Sequence, residues 1–273
     1  MSKFSRIPKM LNLMHESYAH HSRNVLLTHA RYADRKHLAP YGRKVYSQSD
    51  EDGIISEIFK RIGVTNKVFV EFGVGNGLEN NTLALLFQGW TGLWIEGSQK
   101  YARLIRSNYP KTISSGKLAL VNDFVTKDNI NALISSEISN EEIDLLSVDI
   151  DGNDFHVLDA IDCVDPRVIV MEYNGKFAPP IEFCMKYDES HTWNGDDCYG
   201  VSLKFLEVEL HKKGYSLVGC NLTGTNSFFV RNNLAADKFL MPYTAENHYE
   251  PPRFYLASIT SGHEASYKTL ENA

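Results

Sequence analysis

From residue 46 to residue 232 the chain alternates between two hydrophobic patterns. Short, continuous apolar runs rich in β-branched residues read as strands: "KVFVEFG", "TGLWIEG", "KLALVNDFV", "IDLLSVDID" and "PRVIVMEYN". Between them, "NNTLALLFQG", "QKYARLIRSNYP", "KDNINALISSE" and "DFHVLDAID" carry apolar residues at helical spacing. Strands this uniformly apolar are covered on both faces, and the intervening helices supply the cover, so the pattern predicts a parallel α/β sheet. Asn80 or Asn81 reads as a helix cap, and Gly89 and Pro110 as helix stops. The helix "SLKFLEVELHKKG" then leads to "YSLVGCN" and "NSFFVRN", joined by the turn "LTGT". Five strand–helix units, a further helix and a terminal strand pair follow from the pattern.

The flanks read differently. Residues 1–45 form a polar, helical extension. Its histidines, His15, His20, His21, His29 and His37, match no metal-ligand spacing and are expected on the solvated faces of an appended helix pair. The core region, residues 46–240, opens with "YSQSDEDGIISEIFKRIG". There Ser49 or Asp50 caps a helix with Ile54, Ile55, Ile58 and Phe59 on one face, and Gly63 ends it. Residues 241–273 contain Pro242, Pro251 and Pro252 and read as an irregular tail. Extension and tail are expected either to form a homo-oligomer contact or to cover the site.

Composition narrows the class. Of 273 residues, 43% are hydrophobic and 23% charged, which suits one sizeable core. A net charge of -6 gives no global attraction to nucleic acid or an anionic membrane. No apolar run approaches the roughly 20 residues of a membrane span. The N-terminal stretch lacks a signal-peptide core, so the cytoplasm is the expected location. Cys163, Cys184, Cys198 and Cys220 form no C-x-x-C pair and are expected as free thiols.

Candidate chemistry begins at "VFVEFGVGNGLENNT", where a strand runs into Gly73, Gly75 and Gly77 with Glu71 just ahead. A strand, a glycine turn and a helix make the nucleotide-binding corner of a doubly wound sheet. In a dinucleotide site the spacing is G-x-G-x-x-G, with pyrophosphate at the helix N-terminus. Here the third glycine comes one position early, and Glu71 suits a cationic ligand group instead. Glu96, Asp123 and the pair Asp149 and Asp151 end the next three strands. Together these acids mark the carboxyl edge of the sheet as one polar site. Glu96 is placed to accept ribose hydroxyls, and Asp123 to reach an adenine amino group.

On "YSQSDEDGI", "FVEFGVGNGLENNT", "GLWIEGS", "LLSVDIDGND", "VIVMEYN" and "GYSLVGCNLTGTNSFFVR", residues 46–232 resemble the class I S-adenosylmethionine-dependent methyltransferases, and within them the FkbM-type group. The resemblance implies a Rossmann-like, doubly wound α/β fold with a seven-stranded sheet whose last strand runs antiparallel. It implies S-adenosylmethionine as cofactor, with Glu71, Gly73 and Gly75 at its methionine part, Glu96 at the ribose and Asp123 at the adenine. Gln48, Asn81 and Asp149 complete the expected cofactor set. The implied reaction is O-methylation of a sugar, a glycan precursor or a related small metabolite.

A second constellation collects Asp149, Asp151, Glu172 and Asn174 at the ends of neighbouring strands. Hard oxygen ligands of this kind suit Mg²⁺, Mn²⁺ or Ca²⁺. The arrangement is similar to catechol O-methyltransferase, where a divalent ion positions substrate hydroxyls. The alternative is structural: Asp149 and Asp151 cap the next helix, and Asn174 makes a turn before Gly175. His156, one turn into that helix, is the candidate general base alongside Asp149 and Asp151, or else a half-buried structural residue. His191 and Trp193, in "YDESHTWNGDDCYG", belong to a sugar-contacting loop or to a packed surface loop. Gln48 and Glu51 either close over the cofactor or start a helix. Two other classes stand beside the methyltransferase: an NAD(P)-dependent oxidoreductase and a non-catalytic cofactor-binding scaffold. The early third glycine, Glu71 and the terminal strand pair weigh against the oxidoreductase.

Overall fold

The computed structural model describes residues 6–139 and 141–273. Seven strands form one sheet: β1 (Val68–Phe72), β2 (Thr91–Ile95), β3 (Leu118–Val121), β4 (Glu142–Val148), β5 (Asp165–Glu172), β6 (Tyr215–Cys220) and β7 (Asn226–Arg231). Their order is β3-β2-β1-β4-β5-β7-β6. β1 to β5 pair in parallel, and β7 runs antiparallel to both β5 and β6. This is the Rossmann-like, doubly wound seven-stranded architecture with an antiparallel last strand. Chain order reverses between β1 and β4, and a sheet of this kind opens a crevice at that switch point, outside the carboxyl ends of its strands.

The helices are α1 (Arg6–Leu27), α2 (Glu51–Ile62), α3 (Leu83–Leu86), α4 (Gln99–Asn108), α5 (Pro110–Ser114), α6 (Ile130–Ser135), α7 (Asp154–Ala160) and α8 (Leu203–Lys212), followed by α9 (Asn232–Ala235), α10 (Ala245–His248) and α11 (Tyr267–Glu271). Successive strand residues alternate faces, so the sheet has two cores. On one face Val70, Leu93, Leu146 and Ile169 pack with Ile134 of α6, Leu158 of α7 and Leu206 of α8. On the other, Phe69, Trp94, Leu145 and Val168 pack with Ile54, Ile55 and Ile58 of α2 and Ile105 of α4.

Two expected elements changed. The segment after the glycine loop forms only four helical residues, because Glu71 and Asn80 hold the backbone N–H groups of residues 81–83 in a tight turn. Pro110 ends α4 but also starts α5, taking the first helical position, where its missing N–H costs nothing.

The amino edge of the sheet is held by a buried ion pair. Arg167 of β5 donates to Asp144 of β4 at 2.5 Å and to the carbonyls of Ile62 and Gly63 at the end of α2. Asp144 also accepts from the backbone N–H groups of Thr65, Asn66 and Lys67. α2, β1, β4 and β5 are thereby fixed to one another where the chain enters the sheet.

Extension and tail are tied together. The Glu250 carboxylate, fully buried, accepts from Tyr32 at 2.9 Å and Arg253 at 2.7 Å and pairs with Arg31 at 3.2 Å. Glu271 of α11 accepts from the backbone of Lys111 and Thr112 in α5. Of the expected helix pair, only α1 forms; short 3₁₀ turns follow it. His37 is also not solvated: it is 1% exposed, and its Nδ1 accepts from Ala39 N at 3.1 Å. His248 of α10 lies beside it, ring centroids 6.3 Å apart, with Nε2 on the Leu240 carbonyl. Among the described residues no helix is long and apolar enough to cross a membrane, and all four cysteines are free.

Burial lowers the pKa of His37 to about 4 and that of His248 to about 3, so both are neutral in the folded protein near neutrality. The unfolded chain binds these protons near pH 6.5 and the folded chain does not. Stability present above that pH is therefore lost as pH falls, at up to about 1.4 kcal/mol per pH unit for each ring. Urea unfolding between pH 7 and pH 4 should show this decline, and His248→Gln should make it shallower. An equally steep decline in His248→Gln would assign the acid sensitivity to other groups.

Candidate active site

The crevice at the carboxyl ends of the strands contains two adjoining cavities. The first, about 510 Å³, runs past the ends of β1, β2, β3 and β4. The second, about 840 Å³, lies beyond the ends of β5 and β7. Gln48, Asp151, Glu172 and Trp193 line both and form the boundary between them.

Three glycines shape the first cavity in different ways. Gly73 has φ of 84°, and a Cβ there would lie 1.6 Å from the Asp149 carbonyl oxygen, so this residue lets β1 and β4 approach each other. Gly75 has φ of 54° and open space where a Cβ would go, so its backbone borders the cavity directly. A Cβ on Gly77 would meet Trp94 and Ile105 at 3.0 Å. The third glycine thus serves packing, not a ligand.

Glu71 lies beneath this loop, 3% exposed. Its Oε1 accepts from Asn81 N and Ser147 Oγ, and its Oε2 from Thr82 N and Thr82 Oγ1. Burial lifts its pKa to about 7 against the pull of these four donors. With each oxygen already accepting twice, Glu71 fixes the loop and is not left free for a ligand's ammonium group. Asn81 completes the same network, its Nδ2 donating to Ser147 Oγ at 3.1 Å. Asn80 accepts from Thr82 N and Leu83 N through Oδ1, while its buried Nδ2 has no partner.

Glu96, after β2, accepts from Gly75 N and Ser98 N, each at 2.7 Å and each on a different oxygen. One acceptor site remains on each oxygen, and burial raises the pKa. Asp123 is placed outside the lining: it is exposed and accepts from Phe124 N at 2.8 Å. Phe124 and Val125 form the wall there instead. Gln48 reaches both cavities from the loop before α2. Glu51 does not close over the cavity, because it is fully buried among Ser49, Asn221 and Asn226.

At the boundary, Asp149, Asp151 and Glu172 place carboxylate oxygens within 4.8 Å of one another. The capping alternative fails for this pair of aspartates: Asn153 holds the N-cap position of α7, and no side chain caps the helix. Asp154, its first residue, ties down the preceding loop instead, accepting from Ile150 N and Gly152 N at 2.7 Å each. Asp151, in the same loop, takes a φ of 56° and is exposed. Burial, then repulsion from neighbouring acids, pushes the pKa of Asp149 and of Glu172 well above the usual carboxylate range. Burial also raises Asp151, while His191 draws it down. Among the described residues no donor satisfies any of the three.

Asn174 is drawn away from this group. Its Nδ2 donates to the carbonyls of Asp197 and Tyr199, and its Oδ1 accepts from Lys176 N, so it shapes the turn and the wall of the second cavity. His156 faces elsewhere as well: its Nε2 bonds the Met185 carbonyl at 2.7 Å, and it lines neither cavity, which removes it as candidate base. His191 stands on the first cavity in its place, over Gly152, where a Cβ would come within 2.3 Å of the ring. Its loop is pinned by Asn153, whose amide exchanges hydrogen bonds with the backbone of Asp188. Trp193, Tyr199, Phe254 and Pro252 give the second cavity an aromatic and apolar wall. Sequence reading missed Asn80, Phe124 and Asn226 as lining residues; only strand register and loop geometry bring them to the site.

No known family model matches the sequence, and no curated protein matches it. Solved structures do. Magnesium protoporphyrin IX methyltransferase from Synechocystis PCC 6803, with bound SAM, is 12% identical over 67% of this chain and 79% of its own, at a TM-score of 0.44. The methyltransferase domain of bacterial CtHen1-C is 13% identical over 67% of this chain and 97% of its own, at 0.43. The N-terminal domain of EvdMO1, with SAH bound, is 15% identical over 66% and 79%, at 0.42.

The two glycines should separate fold from ligand space. Gly73→Ala, forced against the backbone of Asp149, should unfold the chain or lower its melting temperature severely. Gly75→Ala meets only the strain of a positive φ, about 1 kcal/mol, and should stay folded. Equal melting of the two variants would show that Gly73 is not the closure point between β1 and β4.

Proposed function

We propose that this chain is an S-adenosylmethionine-dependent methyltransferase that acts on an oxygen of a sugar, a glycan precursor or a related small metabolite. The observation that carries the reading is the pair of cavities meeting at Asp151 and Glu172. One suits a cofactor and the other an acceptor, and the acids sit where the two molecules would touch. The first cavity fits the cofactor. Glu96 keeps two acceptor sites for ribose hydroxyls, Gly75 leaves backbone room for the methionine part, and the unpartnered Asn80 Nδ2 offers a donor to its carboxylate. Phe124 and Val125 provide an apolar seat for the adenine.

The same loop disfavours a dinucleotide. Pyrophosphate needs free N–H groups at a helix N-terminus. Here Glu71 and Asn80 already occupy those of residues 81–83. A phosphate would meet the Glu71 carboxylate and find the N–H groups of residues 81–83 already taken.

When bound, the cofactor supplies an electrophilic methyl group. The protein's task is alignment: holding acceptor oxygen, methyl carbon and sulfur in line and keeping water out. Trp193, Tyr199 and Phe254 suit the apolar faces of a sugar ring, and Asp196, Asp197 and Thr225 suit its hydroxyls. Asp149, Asp151 and Glu172, three acceptors without donors, fit a hard divalent cation. Such an ion lowers the pKa of a hydroxyl bound to it.

Titration calorimetry should show S-adenosylhomocysteine binding and no binding of NAD. Glu96→Ala should weaken S-adenosylhomocysteine by about 1.5–3 kcal/mol while the fold survives. Unchanged affinity would remove Glu96 from the site, and failure of the wild type to bind would remove the whole reading. With labelled S-adenosylmethionine and a panel of sugars and polyols, exhaustive chelation should abolish transfer and leave S-adenosylhomocysteine affinity nearly unchanged. Mg²⁺ should restore transfer to the wild type but not to Glu172→Ala. A rate indifferent to chelation would leave the reaction to alignment and to the protein's own bases.

A further inference from the structure

We infer that Asn226, not Asn174, supplies the fourth protein oxygen of the cation seat formed by Asp149, Asp151 and Glu172. The inference rests on the divalent-ion reading above and assigns a residue that the strand-end pattern does not indicate. In the pairing of β5 with β7, Glu172 lies directly opposite Asn226. Opposed residues of an antiparallel pair project from the same face of the sheet. Asn226 is 4% exposed and lines the same 510 Å³ cavity as the three carboxylates.

The orientation of its amide is determined by chemistry. Asn226 Nδ2 donates to Glu51 Oε1 at 3.0 Å. An ionised carboxylate only accepts, so the reversed amide would set oxygen against oxygen. Glu51 is itself fixed: it is fully buried and accepts from Ser49 N at 2.8 Å, Ser49 Oγ at 2.9 Å and Asn221 Nδ2 at 2.6 Å. The start of α2 therefore decides which atom of Asn226 faces away from it. That atom, Oδ1, is buried without a hydrogen-bond partner. A buried carbonyl oxygen is rarely left unpaired in a native protein.

Four acceptors thus border one cavity, and among the described residues none of the three carboxylates nor Asn226 Oδ1 accepts a hydrogen bond. A primary ammonium brings three N–H groups and leaves one acceptor unmet. A hard divalent ion takes six or more oxygens and serves all four, with water or substrate completing its shell. Three carboxylates with one neutral amide oxygen suit Mg²⁺, Mn²⁺ or Ca²⁺. Among the described residues no His or Cys joins the three carboxylates, which argues against a tight zinc site. Glu51 is then a positioning residue, acting on the ion only through the Asn226 amide.

Mn²⁺ binding to the full chain without cofactor, followed by electron paramagnetic resonance, tests this apart from activity. The wild type should bind one ion. Asn226→Ala should bind it about tenfold or more weakly, and Glu51→Gln should weaken it too, since its new amide lets Asn226 turn over. Asn174→Ala should stay within about twofold of the wild type, as expected for a residue outside the coordination shell. In the wild type, Mn²⁺ should broaden the Asn226 side-chain amide signal well before saturation, and this reading decides if Asn226→Ala does not fold. A wild type that binds no Mn²⁺ removes the ion reading and this assignment with it. Binding that survives in Asn226→Ala, or an unbroadened Asn226 signal, overturns the assignment alone. Loss of affinity in Asn174→Ala instead would return the fourth oxygen to Asn174.

Discussion

Crowding of buried carboxylates at one edge of the sheet is the constraint from which the site follows. Parallel strands all end on the same side, so acids at their carboxyl ends are forced together where water is scarce. Each such group is costly unless donors or cations meet it. Glu71 and Asp154 are met by the backbone of the loops they organise. Glu51 is met by Ser49 and two asparagine amides. Asp149, Asp151 and Glu172 remain, and their raised proton affinity expresses that imbalance. Acids that are satisfied build the walls, and acids that are not define where a ligand is needed.

The opposite edge shows the contrasting solution. Asp144 is as buried as Glu71, yet Arg167 and three backbone N–H groups neutralise it. Removing one partner of such a buried pair costs about 3–5 kcal/mol. The amino edge is therefore a closed, rigid floor. Glu250 plays a similar part at the periphery, where Arg31, Tyr32 and Arg253 converge on it and hold the extension against the tail. Each of these buried acids has a donor supplied by the chain. The half-buried Asp149 and Glu172 and the exposed Asp151 at the cavity boundary have none, and their convergence within one cavity is the strongest physical argument for a functional site there.

The division into two cavities has a local cause. The loop carrying His191 and Trp193 crosses the crevice, anchored by Asn153 at one end and by Asn174 at the other. Gly152 admits the His191 ring, and Asn174 holds the backbone at Asp197 and Tyr199. Two asparagines and one glycine thus place a partition that separates a cofactor-sized space from an acceptor-sized one.

The sequence by itself determined the alternation of strands and helices, the doubly wound class and the position of the polar edge. Apolar periodicity and glycine placement are local signals, and they survive without knowledge of contacts. It also marked Glu71, Gly73, Gly75, Glu96 and the three boundary acids, because strand ends are legible in the pattern. Only the tertiary structure decided what each group does. His156 reads as the candidate base and His191 as part of a loop, but the first is turned to the Met185 carbonyl and the second lines the cavity. Asn174 and Asn226 both follow or begin a strand, but the antiparallel register sets Asn226 opposite Glu172, while the turn at residue 175 commits Asn174 to the loop. Glu71 carries a charge in the right place, yet four donors from its own loop absorb it. The reason is the same in each case: a side chain's chemistry is set by which donors and acceptors surround it, and those come from residues distant in the chain that only the folded sheet brings together.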